Sequence, residues 1–169
     1  MRLETDRLLL RSLRSDDIHD LVALWNDRDV TRFLGGPRDP EQVRQILESE
    51  LAEPSEDPFG QWPLFEKATG ALVGDCGLMQ KDVEGTTHVE LVYVLAASAW
   101  GKGYATEVGT GLMRFAFDTL ELDHLISLIE PENRESRRVA RKLGMQLQSL
   151  ILRPDGVERE LWMVSATGV

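Results

Sequence analysis

Trp100-Gly101-Lys102-Gly103-Tyr104-Ala105-Thr106 joins an apolar run to an amphipathic segment. Upstream, Val89 to Leu95 reads as a buried strand. Downstream, Ala105, Val108, Leu112, Phe115 and Ala116 recur at helical spacing. A strand, a short glycine loop and a helix start together make a ready anion site. The first turn of a helix has unpaired N–H groups and a partial positive charge, and glycines let a phosphate come close to the backbone. The stretch therefore predicts a ligand carrying phosphate.

Outward from this loop, strand and helix signals alternate. Leu3 to Arg11 reads as a first strand, followed by a helix capped at Asp16 and running to about Trp25. Pro40 opens a second helix that ends near Glu53, and residues 54–60 form a loop. Trp62 to Phe65 and Leu72 to Met79 read as a hairpin joined by Lys67-Ala68-Thr69-Gly70. After the loop comes a helix over Ala105 to Thr119, then a strand over Leu125 to Ile129. Glu132-Asn133 opens a last helix that stops at Gly144, a glycine where helices commonly end. Met145 to Leu152 and Glu158 to Val164 close the chain as a hairpin around Pro154-Asp155-Gly156. The pattern predicts a mixed α/β (α+β) class: a central sheet of about seven strands with about four helices, in one domain over residues 1–169.

With 169 residues, 42% of them apolar and 28% charged, the composition is that of a globular protein. The net charge of −10 argues against broad nucleic-acid binding, which needs many Lys and Arg contacts to phosphate. No apolar run approaches the ~20 residues of a membrane span, and the N-terminus has acids but no apolar signal core, so a cytoplasmic location is expected. The single cysteine, Cys76, excludes an intrachain disulfide and any multi-cysteine zinc site, and no metal is expected. His88-Val89-Glu90 matches the H-x-E of zinc deaminases, but their P-C-x-x-C is absent.

The glycine loop has a downstream partner in Asn133-Arg134-Glu135-Ser136 and the helix ending Lys142-Leu143-Gly144-Met145. With Glu4-Thr5-Asp6-Arg7-Leu8-Leu9-Leu10-Arg11 and Leu34-Gly35-Gly36, these segments resemble the GCN5-related N-acetyltransferase (GNAT) superfamily. Within it they look most like the RimJ/RimL-like ribosomal-protein N-acetyltransferases. The resemblance implies acetyl transfer from acetyl-CoA to an amine, with a protein N-terminus as the leading acceptor. A small-molecule amine and a non-catalytic acyl-CoA-binding domain are the alternatives, and dimers are common in similar proteins.

By the same resemblance, the pyrophosphate lies on the amides of Trp100, Gly101, Lys102, Gly103, Tyr104, Ala105 and Thr106. The pantetheine arm pairs with the main chains of Tyr93, Val94 and Leu95, and Asn133 helps hold the cofactor or shape the helix entry. Trp100 stands where the superfamily usually has Gln or Arg. The reaction needs a base for the amine, and Glu90 is the leading candidate because strand alternation points it into an apolar layer. The tyrosine that serves many members as acid is replaced by Ala140 here, which leaves Ser136 as the candidate donor to the thiolate. Trp25 and Phe33 stand where similar proteins line the acceptor pocket, although helical packing explains Trp25 as well. His19 and His124 are expected at the surface.

Overall fold

The computed structural model describes residues 2–55, 57–153 and 156–166. Its strands are β1 (Arg2–Glu4), β2 (Leu8–Arg11), β3 (Gly60–Glu66), β4 (Leu72–Val83), β5 (Thr86–Leu95), β6 (His124–Ile129), β7 (Gln146–Leu152) and β8 (Glu158–Ser165). The helices are α1 (Ile18–Asn26), α2 (Pro40–Ala52), α3 (Tyr104–Arg114) and α4 (Arg134–Lys142). One sheet holds all eight strands in the order β1-β2-β3-β4-β5-β6-β8-β7. Among the described residues no helix is long and apolar enough to cross a membrane.

The expected first strand is in fact two. Thr5 closes a turn on Leu8, its N–H donating to the Leu8 carbonyl at 3.0 Å, and β1 folds back on β2 with Leu3 opposite Leu10. This adds the eighth strand. The expected helix from Ala105 to Thr119 begins one residue earlier, and its last stretch, Phe115–Thr119, is a π-helical turn closed by Leu120 N–H on the Phe115 carbonyl at 3.1 Å. Asp17, not Asp16, organises the entry to α1. It accepts from Arg14 N–H at 2.8 Å and forms a two-pronged ion pair with Arg11 at 2.7 and 2.8 Å. Pro154 and Asp155, the centre of the expected last turn, lie outside the described residues.

All neighbouring strands are antiparallel except β5 and β6, which run parallel and pair only at Glu90 and Ile126. Beyond that point they part. Helices α3 and α4 cover one face of the sheet over Leu8, Leu10, Leu64, Cys76, Leu91 and Leu125, all essentially sealed from solvent. Helices α1 and α2 cover the other, where Leu21, Trp25, Val43 and Leu47 pack near Val94. Cys76 is completely buried, and that burial pushes its thiol pKa far up. Gly77 is required by contact: a Cβ there would lie 1.9 Å from the Gly60 carbonyl oxygen of β3.

Candidate active site

The glycine loop leaves β5 and turns into α3 through two left-handed glycines, Gly101 at φ 75° and Gly103 at φ 82°. Gly103 is the N-cap of α3, and the first helical hydrogen bond is Glu107 N–H to its carbonyl at 3.1 Å. Among the described residues no acceptor is seen for the main-chain N–H groups of Gly101, Lys102, Gly103, Tyr104, Ala105 and Thr106. Six consecutive donors thus stand at the positive end of a helix, next to glycines that leave the approach open. A Cβ on Gly101 would meet nothing within 4 Å.

The loop is held from behind. Arg7 donates from Nη1 to the Lys102 carbonyl at 3.0 Å and from Nε to Glu107 at 2.6 Å. Burial pushes the Glu107 pKa up, but the Thr5 hydroxyl, the Arg7 N–H and the Arg7 guanidinium outweigh it and hold it below the usual range. The Lys102 ammonium leans back to Glu66 at 4.0 Å, and Glu66 also accepts from the Tyr104 hydroxyl. Trp100 departs from the seven-amide expectation: its own N–H is spent on Ala97 at 3.2 Å. Its indole Nε1 caps the Leu95 carbonyl at 2.8 Å.

Where β5 and β6 part, side chains take up main-chain groups left without a strand partner. Ser127 Oγ donates to the Leu91 carbonyl at 3.0 Å, and Leu128 N–H donates to Glu90 Oε1 at 3.1 Å. The Leu91 and Leu95 carbonyls therefore face away from β4. By the alternation of an antiparallel pair, the main-chain groups of Tyr93 also face the opening, whereas those of Val94 are directed to β4, where Val94 lies opposite Asp75. Burial raises the Glu90 pKa, opposed by the Leu128 N–H, Lys81, Arg153 and Arg159. At the lower end of the gap, His88 Nδ1 and His124 Nε2 are 2.8 Å apart, and His124 also contacts Asp123. His124 is half-buried against His88, contrary to the surface position expected of it.

Across the gap, Asn133 caps α4 by accepting Ser136 N–H at 3.1 Å. The Tyr93 hydroxyl reaches over to donate to the Ser136 carbonyl at 3.2 Å, so Tyr93, Asn133 and Ser136 are brought together at the mouth of the splay. Ala140 is buried on the inner face of α4. Of the basic residues of α4, Arg137 ion-pairs inward with buried Glu160 at 3.1 Å and Arg138 pairs with Glu135 at 2.7 Å.

On the opposite face, a group that periodicity did not single out stands beside Val94. Asp75 is 7% exposed, and its Oδ2 accepts from Trp25 Nε1 at 2.9 Å. Burial pushes its pKa up to about 6; Trp25 and Arg38 oppose the shift and Glu50 adds to it. The Arg38 guanidinium stacks 3.8 Å above the Trp25 ring. Gln61, on the same face, has a buried Nε2 with no hydrogen-bond partner among the described residues. The signal for Asp75 was a lone carboxylate inside the apolar run Val73-Gly74-Asp75-Cys76-Gly77-Leu78, where an acid is rarely buried without a purpose. Among the described residues no group of three or more metal-ligating side chains is found.

A family model described as acetyltransferase (GNAT) domain matches residues 7–146. The YkkB protein of Bacillus subtilis (strain 168) is 32% identical over 151 residues, covering 89% of this chain and 88% of that one. Among solved structures, an acetyltransferase from Agrobacterium tumefaciens str. C58 superposes with TM-score 0.80 at 28% identity, covering 97% of this chain and 94% of that one. A spermidine N-acetyltransferase from Vibrio cholerae, in complex with CoA and spermine, has the same fold at TM-score 0.79 and 14% identity, covering 97% and 98%.

Proposed function

Because the chain belongs to the GNAT acetyltransferase family, we propose that it moves the acetyl group of acetyl-CoA to a primary amine, in the first instance the α-amino group of a protein N-terminus. The observation that carries this reading is the run of free N–H donors from Gly101 to Thr106 at the start of α3. A diphosphate has the charge and the acceptor oxygens to satisfy them, and few other metabolite groups do. The N-terminal acceptor is supported by the RimJ/RimL-like segments at Glu4–Arg11, Trp100–Glu107 and Asn133–Met145.

In this reading the thioester donor lies in the gap between β5 and β6. Tyr93 offers its main-chain N–H and carbonyl to the amides of the donor's arm, and Leu95 offers its N–H, its carbonyl being held by Trp100. Val94 contributes its side chain to the acceptor face, and Asn133 fixes the N-terminus of α4 against the arm. The neutral amine attacks the thioester carbon, the oxyanion is met by a β5 main-chain N–H, and Ser136 stands near the departing sulfur as a hydroxyl donor. Asp75 and Glu90 are two carboxylates on the acceptor side of β4 and β5.

Thermal unfolding with and without acetyl-CoA tests the donor site. Acetyl-CoA at 100 times its Kd is expected to stabilise the protein by about 2.7 kcal/mol. Gly103→Glu, which puts bulk and negative charge in the cradle, is expected to abolish that shift. A wild-type protein that acetyl-CoA does not stabilise, or a Gly103→Glu variant stabilised equally, overturns the reading.

A further inference from the structure

The face of the sheet under α1 and α2 carries polar groups that the fold itself leaves unsatisfied. Asp75 Oδ2 receives the Trp25 indole N–H, but no hydrogen bond to Asp75 Oδ1 is found among the described residues. No ion pair to Asp75 within 4.0 Å is present among them either, although Arg38 lies close enough to influence its charge. Gln61 is opposite Gly77 and Pro63 is opposite Asp75, so Asp75 and Gln61 are diagonal neighbours on one face, about 7–8 Å apart. Gln61 Nε2 is buried without an acceptor among the described residues. A buried donor without a partner is costly to the folded state unless a ligand completes it, and the unpartnered Oδ1 of Asp75 stands ready as an acceptor on the same face.

The two needs have different chemistry. Asp75, with the carboxylate of Glu50 nearby and the Trp25 ring alongside, favours a cation. The stacking of the Arg38 guanidinium on that ring shows the environment accepting one. Gln61 Nε2 needs a hydrogen-bond acceptor such as a carbonyl. An ammonium with a carbonyl two bonds away satisfies both, and the N-terminal residue of a peptide carries that pair; a simple alkylamine or a polyamine lacks the carbonyl.

Resting on the proposed function above, we propose that Asp75 and Gln61 form the acceptor site, taking the ammonium and carbonyl of a peptide N-terminus, with Asp75 as the base that frees the amine. One proton passes from the ammonium nitrogen to Asp75 Oδ1. The neutral nitrogen forms the N–C bond to the acetyl carbon as the C–S bond breaks. The second proton lost by nitrogen ends on the sulfur, giving free thiol, and Asp75 releases its proton to solvent. Position favours Asp75 over Glu90: Asp75 lies directly opposite Val94, which stands between Tyr93 and Leu95, the residues whose main chains face the donor, whereas Glu90 is four residues down β5 with Oε1 engaged by Leu128. The charged or titratable groups that bear on Asp75 are Arg38 from the α1–α2 loop, Glu50 from α2 and the adjacent Cys76 of β4.

The test uses the full chain, acetyl-CoA and two probes, a tri-alanine amide with a free α-amino group and n-propylamine, with thiol release as readout. The wild type is expected to prefer the peptide by about tenfold in kcat/KM, the worth of one buried hydrogen bond. Asp75→Asn, which still accepts from Trp25, is expected to lose about 100-fold in rate with both probes and to lose the acid limb of the pH profile, while its affinity for acetyl-CoA holds. Gln61→Leu is expected to lower kcat/KM for the peptide about tenfold, bringing it level with propylamine. Wild-type rate and pH profile in Asp75→Asn, no preference in the wild type, or acetyl-CoA binding without acetylation of either probe overturns the assignment. Should Asp75→Asn fail to fold, a wild-type profile without a single ionisation near pH 6 overturns it instead. Failure to bind acetyl-CoA at all would instead show up as the loss of the donor site.

Discussion

Glu90 Oε1 accepts the main-chain N–H of Leu128 at 3.1 Å across the gap where β5 and β6 part company. In a regular parallel ladder that N–H would find a carbonyl of β5, and here a side chain replaces the strand. The bond lets the sheet open without leaving a buried donor empty.

A division of labour between the two carboxylates follows. Glu90→Gln keeps an oxygen for Leu128 and is expected to retain kcat within about threefold, while Glu90→Ala is expected to lower stability by about 1–3 kcal/mol. Chemical denaturation and steady-state thiol release on the same two variants check both halves.

Asp75 makes stability depend on pH in a definite sense. Its folded pKa, about 6, lies above the usual carboxylate value of 3.8, so the folded state favours the protonated form. The associated stability is fully present below the unfolded pKa and is lost as pH rises through the folded one. A shift of this size corresponds to about 3 kcal/mol. Asp75→Asn is therefore expected to unfold at a higher denaturant concentration than the wild type at pH 8, with the gap closing by pH 4. Denaturation midpoints across that range measure it.

Gly77→Ala is expected to destabilise by roughly 1–3 kcal/mol, because the new methyl would collide with the Gly60 carbonyl and two strand backbones have little room to yield. Thermal or denaturant unfolding decides it, and an unchanged midpoint would mean that β3 and β4 can move apart freely.

Arg7 reaches the glycine loop through the Lys102 carbonyl, through Glu107 and through the Tyr104 ring, whose centroid lies 4.7 Å from its guanidinium. Arg7→Ala is expected to raise KM for acetyl-CoA about fivefold with kcat nearly unchanged, since the donors of the loop remain but are held less firmly. Because the side chain is half exposed, its ion pair with Glu107 adds little to global stability.

Much of the fold was legible because the elements around the loop are periodic. The apolar run into Leu95, the two glycines and the helical spacing after Ala105 specify strand, turn and helix without knowledge of their neighbours. The break at Thr5 was not legible: Leu3 to Arg11 is continuous in character, and only the hydrogen bond from Thr5 to Leu8 reveals two strands. The parting of β5 from β6 left no trace in local pattern either, since it depends on where β6 arrives in three dimensions. Trp25 sits on the helical stripe that packs the core, and it is buried there, but its indole N–H needed a distant acceptor that spacing along α1 does not name. Asp75 is a single acid in an apolar strand and so has no period; only its placement beside Trp25 and opposite Val94 marks it out.

The burial of Cys76 has a practical side. The only cysteine in the chain is shut away from solvent, and its sulfur is kept protonated far beyond neutral pH. An aromatic disulfide reagent added to the folded protein will find no thiolate to react with. Any yellow colour that develops during a reaction is then a count of acetyl groups delivered, with no correction for the catalyst.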